Sequence, residues 1–146
     1  MKNKINKDWY GKHKSNEELH YASMQWKSEV KFIEDEMVFL EHLLGSNYID
    51  FLHDGLYKKI ESLVNKISIE KKSGKTYLKM IEEHEMVLSD LISTKSMIDN
   101  KTFLLKHYDL QEELENYFYD YKELKKNIFN IVEKVMREKK VKKLIT

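Results

Sequence analysis

Three short groupings in this sequence combine the residue types that bind metals or move protons. Glu17 and His20 stand three apart, Asp50 and His53 do the same, and Glu82, Glu83, His84 and Glu85 are consecutive. A carboxylate-bridged di-metal centre in a helical bundle needs Glu-x-x-His on two helices and a further carboxylate from each of two others, because ligands must converge on the ions from several walls. Here Glu17 and His20 open one helix and Asp50 and His53 lie on the next, which hairpin geometry places several turns away, so the two halves do not meet. Of the six histidines (His13, His20, His42, His53, His84 and His107), the same geometry brings only His42 and His53 close together, flanking the turn at Ser46-Asn47. A two-histidine site needs Glu41, Asp50 or Asp54 as a third ligand. His42, His53, Glu82 and Glu85 are therefore the metal-ligand candidates, set against the plainer expectation of surface or boundary histidines and no cofactor.

Other chemistries fail on spacing. Ser73-Gly74-Lys75-Thr76 mimics the end of a phosphate-binding loop, but that motif needs a glycine where Ile69 stands and a strand before it. With no cysteine in the chain, disulfides, thiolate zinc sites and cysteine nucleophiles are excluded. No catalytic constellation emerges, and the expectation is a protein that is not an enzyme. Lys2, Lys4, Lys7, Lys12 and Lys14 make the first fourteen residues basic, and Arg137, Lys139, Lys140, Lys142 and Lys143 do the same near the other end, leaving an acidic body. Trp9 and Tyr10 could stack on bases beside the first basic cluster. The acidic body and the lack of any binding module argue against nucleic acid as a partner, so solvated basic ends are the simpler expectation. No apolar run approaches a membrane span and no signal segment follows the basic start, which sets a cytoplasmic location as the default.

The elements that would position these residues are helical. Proline is absent and there are only four glycines in 146 residues, too few turn formers for a β-rich fold of this size. With 41% hydrophobic and 35% charged residues and a net charge of +1, the chain suits a folded domain with a charged surface. Residues 1–14 are expected as a flexible basic lead-in. Ser15 and Glu18 form a capping-box pair, after which Leu19, Ala22, Trp26, Val30, Ile33, Met37, Leu40 and Leu44 recur at three and four, one face of a helix over about 16–45. Phe32, Phe39 and Leu43 add a second stripe, as for a helix with two neighbours. Gly45 is the expected left-handed closing residue, and Asn47 the cap of the next helix.

That second helix is expected over about 48–97, on Ile49, Leu52, Leu56, Ile60, Leu63 and Ile67, then Leu78, Ile81, Leu88 and Ile92. Its polar middle, Glu70 to Lys75, allows the alternative of four helices with a break near 71–75. However, Ile67 and Leu78 are eleven residues apart, close to three helical turns, so the stripe resumes in phase with Gly74 on it. Asp99-Asn100-Lys101-Thr102 supplies a second reversal. A third helix, about 102–140, carries Leu104, Tyr108, Leu114, Tyr117, Phe118, Tyr121, Leu124, Ile128, Ile131, Val132 and Val135, with a basic tail over 141–146. Short connections between long helices make neighbours antiparallel. The expected fold is an all-α, up-down-up bundle of three long helices in one domain, 15–140.

Within the first helix, His20, Trp26, Glu29, Phe32, Asp35 and Glu36 resemble the opening helix of small uncharacterised bacterial proteins built from three long helices. The likeness covers roughly the first third of the chain, and the rest by helical layout. It implies the same fold and brings no activity with it. Function is then expected on the surface. Consecutive aromatics at Tyr117, Phe118 and Tyr119 cannot all face one core, so Tyr119 points elsewhere, and Phe32 and Phe39 widen the first helix's apolar face beyond one neighbour. These three residues are the interaction candidates. The leading expectation is a non-enzymatic interaction or scaffolding module with a protein partner or self-association, with metal binding and weak nucleic-acid binding through the basic ends as alternatives.

Overall fold

A computed structural model describes residues 15–53, 55–94 and 100–145. Among them the regular structure is entirely helical: α1 (Asn16–Ser46), α2 (Tyr48–His53), α3 (Tyr57–Thr94) and α4 (Asn100–Ile145). None of these helices is long and apolar enough to cross a membrane. The segment 1–14, with Trp9, Tyr10 and His13, and the reversal at Asp99 lie outside the described residues.

The long helices pack as the up-down-up bundle. His20 on α1 meets Glu85 on α3 and Glu41 meets Lys71, so these two run antiparallel. Tyr77 meets Tyr117 and His84 meets His107, making α3 and α4 antiparallel. α1 and α4 are therefore parallel, with Trp26 beside His107 and Glu36 beside Lys125.

Local chemistry explains the ends. Ser15 caps α1, its hydroxyl oxygen accepting from the Glu18 N–H at 3.2 Å. Gly45 stays helical instead of closing α1. The closing contact comes from Asn47, whose side-chain amide donates to the Leu43 carbonyl at 2.8 Å, while its own carbonyl accepts the first bond of α2 from Phe51 N–H at 3.1 Å. The second helix is broken, but not at 71–75. The break is at Gly55, φ +69°, where the Gly55 N–H donates to the Leu52 carbonyl and the Leu56 N–H to the Phe51 carbonyl. That paired pattern is the Schellman closure, which asks for a residue without a side-chain penalty at positive φ. The re-aimed short helix buries Phe51 and leaves Ile49 and Leu52 exposed, reversing the assignment of those two to the core.

Through 71–75, α3 is continuous. Gly74 is buried, and a Cβ there would stand 2.7 Å from the Tyr117 hydroxyl oxygen, so its missing side chain makes room for α4. The last helix also runs past residue 140 to Ile145, about 70 Å in all at 1.5 Å per residue. The expected basic tail is thus helical over 141–145, with Lys142 and Lys143 in the last turn where cations complement the dipole. The α1 stripe is buried as expected from Leu19 to Leu44, with Ala22 half-buried. From Trp26 onward the main core joins this stripe to Ile60, Leu63, Ile67 and Ile81 of α3 and to Leu114, Tyr117, Tyr121, Leu124, Ile128, Val132 and Val135 of α4.

Candidate interaction surface and the polar positions inside the bundle

Few polar side chains point inward, and one layer gathers three of them. Ser23, His84 and His107 are buried near one end of the bundle. They follow the apolar periodicity: His84 lies three residues after Ile81 and four before Leu88, and His107 four after Phe103 and three before Leu110. His84 Nε2 and His107 Nδ1 stand 2.8 Å apart, so one ring donates an N–H to the lone pair of the other. Phe103 stacks on His84 at 4.4 Å between ring centres and Trp26 lies 4.6 Å from His107. Burial pushes the His84 pKa below the usual imidazole range, overcoming the opposing pull of Glu85. Ser23 donates to the Leu19 carbonyl at 3.0 Å. This layer separates a small apolar cluster of Leu19, Leu88 and Phe103 from the main core.

A second polar layer lies mid-bundle. Glu36 accepts from the Tyr121 hydroxyl and from Lys125 Nζ, the latter at 2.9 Å. Burial pushes the Glu36 carboxyl up, but those two donors outweigh it and leave its pKa below the usual carboxylate range. The Tyr121 hydroxyl moves the other way, raised by burial and by the carboxylate it serves. Nearby, Tyr117 is raised by burial and by Glu70, and Glu70 is raised by burial and by Asp120.

The metal candidates scatter. His42 and His53 are both exposed near the α1–α2 turn. Glu82 pairs with Lys27 at 3.8 Å, and Glu85 accepts from His20 at 2.8 Å. The histidines that do come together are His84 and His107, which the hairpin reading kept apart. No group of three or more metal-ligating side chains is placed to hold an ion among the described residues. Their inward phase on α3 and α4 was the available signal for the buried pair.

The interaction candidates fare differently from one another. Phe32 and Phe39, seven residues and two turns apart, are 56% and 54% exposed. They border α4, because Glu36 between them reaches Tyr121 and Lys125. On α4, Phe129 and Met136 repeat the same spacing and are 40% and 56% exposed. Phe39, Leu43, Phe129, Val132 and Met136 line a groove of about 670 Å³ edged by Glu133, Arg137 and Lys140. Phe129 and Met136 are members of this surface that the periodicity reading did not single out. Both follow the inward-facing Ile128 and Val135 by one residue, so their phase put them at its edge. Tyr119 is exposed, but it stands ten residues, about 15 Å along the helix, before Phe129 and does not line the groove.

Comparison of the chain with known protein families, curated proteins and solved structures finds no match. The likeness in residues 20–36 stays an expectation.

Proposed function

We propose that this chain is a non-enzymatic protein–protein interaction or scaffolding module. The observation that carries the reading is the run of Phe39, Phe129 and Met136 around one groove on the α1–α4 side, all at least 40% exposed, with Phe32 exposed two turns before Phe39 on α1. Single exposed apolar residues are ordinary on a folded domain, whereas a contiguous aromatic-rich patch with polar edges is characteristic of interfaces. About half of each of these phenylalanines stays in water in the lone chain, apolar area that a partner surface would cover.

The test is a double variant, Phe39→Glu with Phe129→Glu. Both sites are exposed, so helix content should be unchanged by circular dichroism. Size-exclusion chromatography with light scattering would follow the purified chain alone and with each protein that co-purifies with it. Association of either kind that the variant loses supports the reading. A chain that stays monomeric, binds none of those proteins and behaves the same in both forms overturns it.

A further inference from the structure

The bundle has three grooves between its long helices, and they differ in what lines them. The α1–α3 seam is bridged by His20–Glu85, Lys27–Glu82 and Lys71–Glu41. The upper α3–α4 groove is edged by Glu83, Lys106, Asp109 and Glu113. The α1–α4 groove shares an apolar floor with it, here Phe39, Leu43, Phe129, Val132 and Met136, but it separates two helices that run parallel. Parallel neighbours align their dipoles unfavourably, and a neighbour running the other way relieves this.

Charged and apolar residues alternate in a fixed order along that seam. On α4, Glu115, Lys122, Phe129 and Met136 recur at seven, and Lys140 follows Met136 by four, so all share one stripe. On α1, Glu29, Phe32, Glu36, Phe39 and Leu43 recur at three and four along the side that borders α4. Beyond the groove, toward the start of α4, the seam presents Glu29, Glu115 and then Lys122, all exposed. At the groove itself it presents Phe39, Phe129 and Met136 with Glu133, bonded to Arg137, and then Lys140.

We propose that the α1–α4 groove is occupied by a second copy of this chain, docked antiparallel about a two-fold axis that crosses the groove near residues 127 and 128 of α4. An isologous contact must be complementary to itself after reversal, and the order Glu115, Lys122, Phe129, Glu133, Met136, Lys140 on α4 meets that condition. Turning one copy over sets Lys140 against Glu115 of the other and Lys122 against Glu133, each pair twice, while the phenylalanines meet across the axis. The reversal also sets α1 and α4 of one copy against oppositely directed helices. A foreign helix needs only an apolar face. A copy of this chain uses the charge order as well. The inference rests on the interaction reading above and names the partner.

Sedimentation equilibrium of the full chain across the micromolar range tests it. The expected result is a reversible dimer, made monomeric by Phe39→Glu with Phe129→Glu at unchanged helix content. Lys140→Glu should weaken the dimer about tenfold, because the two-fold repeats each lost pair, and adding Glu115→Lys should restore it. A monomer at every concentration overturns the proposal. So does a dimer that tolerates the double glutamate variant, or a charge loss that Glu115→Lys leaves unrepaired. If the chain is monomeric yet a co-purifying protein binds it through Phe39 and Phe129, the second copy is wrong and the interaction reading survives.

Discussion

The two ends of the bundle use the same helical periodicity and place their polar groups in opposite ways. At the end built from the start of α1, the last third of α3 and the start of α4, histidines sit inside, where His84 and His107 bond to each other between Trp26 and Phe103. Its outer seam is joined by His20–Glu85 and Lys27–Glu82. At the other end the interior is apolar, with Leu40, Leu44, Phe51, Ile60, Ile128, Val132 and Val135, while Phe39, Phe129 and Met136 spill onto the surface. A buried polar pair is costly unless its members satisfy each other, and once they do it specifies register. Surplus apolar surface specifies nothing within the monomer. The first end thus ties α3 to α4 through a polar contact inside the bundle, and the second leaves apolar surface exposed.

The largest effect should come from the apolar end. Phe51 is fully buried and is the anchor of α2 in the core. Phe51→Ala should cost about 3–5 kcal/mol, read as a lower urea midpoint, and should free α2 from the bundle. At the histidine end the loss should be smaller and, unlike that one, reversible by a second change. His84→Leu keeps the volume but removes the bond to His107, for about 1–3 kcal/mol. The double variant His84→Leu with His107→Leu should recover most of that, since two apolar groups of similar shape need no partner. A double variant no better than the single would show that the pair does not act as a unit.

The ends should also part company on acidification. The folded pKa of His84 is depressed by burial, so the unfolded chain binds the proton more tightly. Where the unfolded state holds more protons, stability rises with pH. The neutral pair is therefore fully favourable above the unfolded value of 6.5, and its contribution is lost as pH falls below it. One proton is worth at most about 1.4 kcal/mol per pH unit, which bounds the fall expected between pH 7 and pH 5.5. Glu36, with its lowered pKa, loses its charge only in stronger acid, outside this window. Urea midpoints should fall across that interval in the parent chain and stay level in His84→Leu with His107→Leu. A slope that persists in the double variant would assign the effect to other groups.

How much of this could be read from the residues varies with the physics involved. The inward stripes of α1 and α4 were legible because burial at three-and-four spacing leaves little freedom in phase. The continuity of α3 through Gly74 was legible for the same reason, since Ile67 and Ile81 are both buried on either side of it. The break at Gly55 was missed because Ile49, Leu52, Leu56 and Ile60 keep helical spacing across it. Asp54-Gly55 was the local turn signal that outranked that pattern. The histidine pair was missed because residues were judged by hairpin position and not by phase. The groove was half legible: Phe32 and Phe39 announced an apolar excess on α1, but its α4 wall depends on which side of Phe129 meets α1, and only the packed bundle fixes that.

Between the two ends stands Gly74, where the smallest and sharpest effect is expected. Replacing a glycine inside a helix by alanine favours the helix by about 1 kcal/mol. The new Cβ would stand 2.7 Å from the Tyr117 hydroxyl oxygen but 3.6 Å from the ring carbon that bears it. The first distance forces Tyr117, buried in the core, to tilt. The second is an ordinary contact. Gly74→Ala alone should therefore change stability by less than about 1 kcal/mol, with the helix gain and the displaced ring opposing each other. On a Tyr117→Phe background the clash is gone and the same substitution should stabilise by about 1 kcal/mol. A cycle of the four proteins, measured by urea unfolding, isolates the difference. If Gly74→Ala stabilises equally with and without the hydroxyl, α4 does not approach α3 this closely, and the close contact of the two helices at the histidine end does not extend to the middle of the bundle.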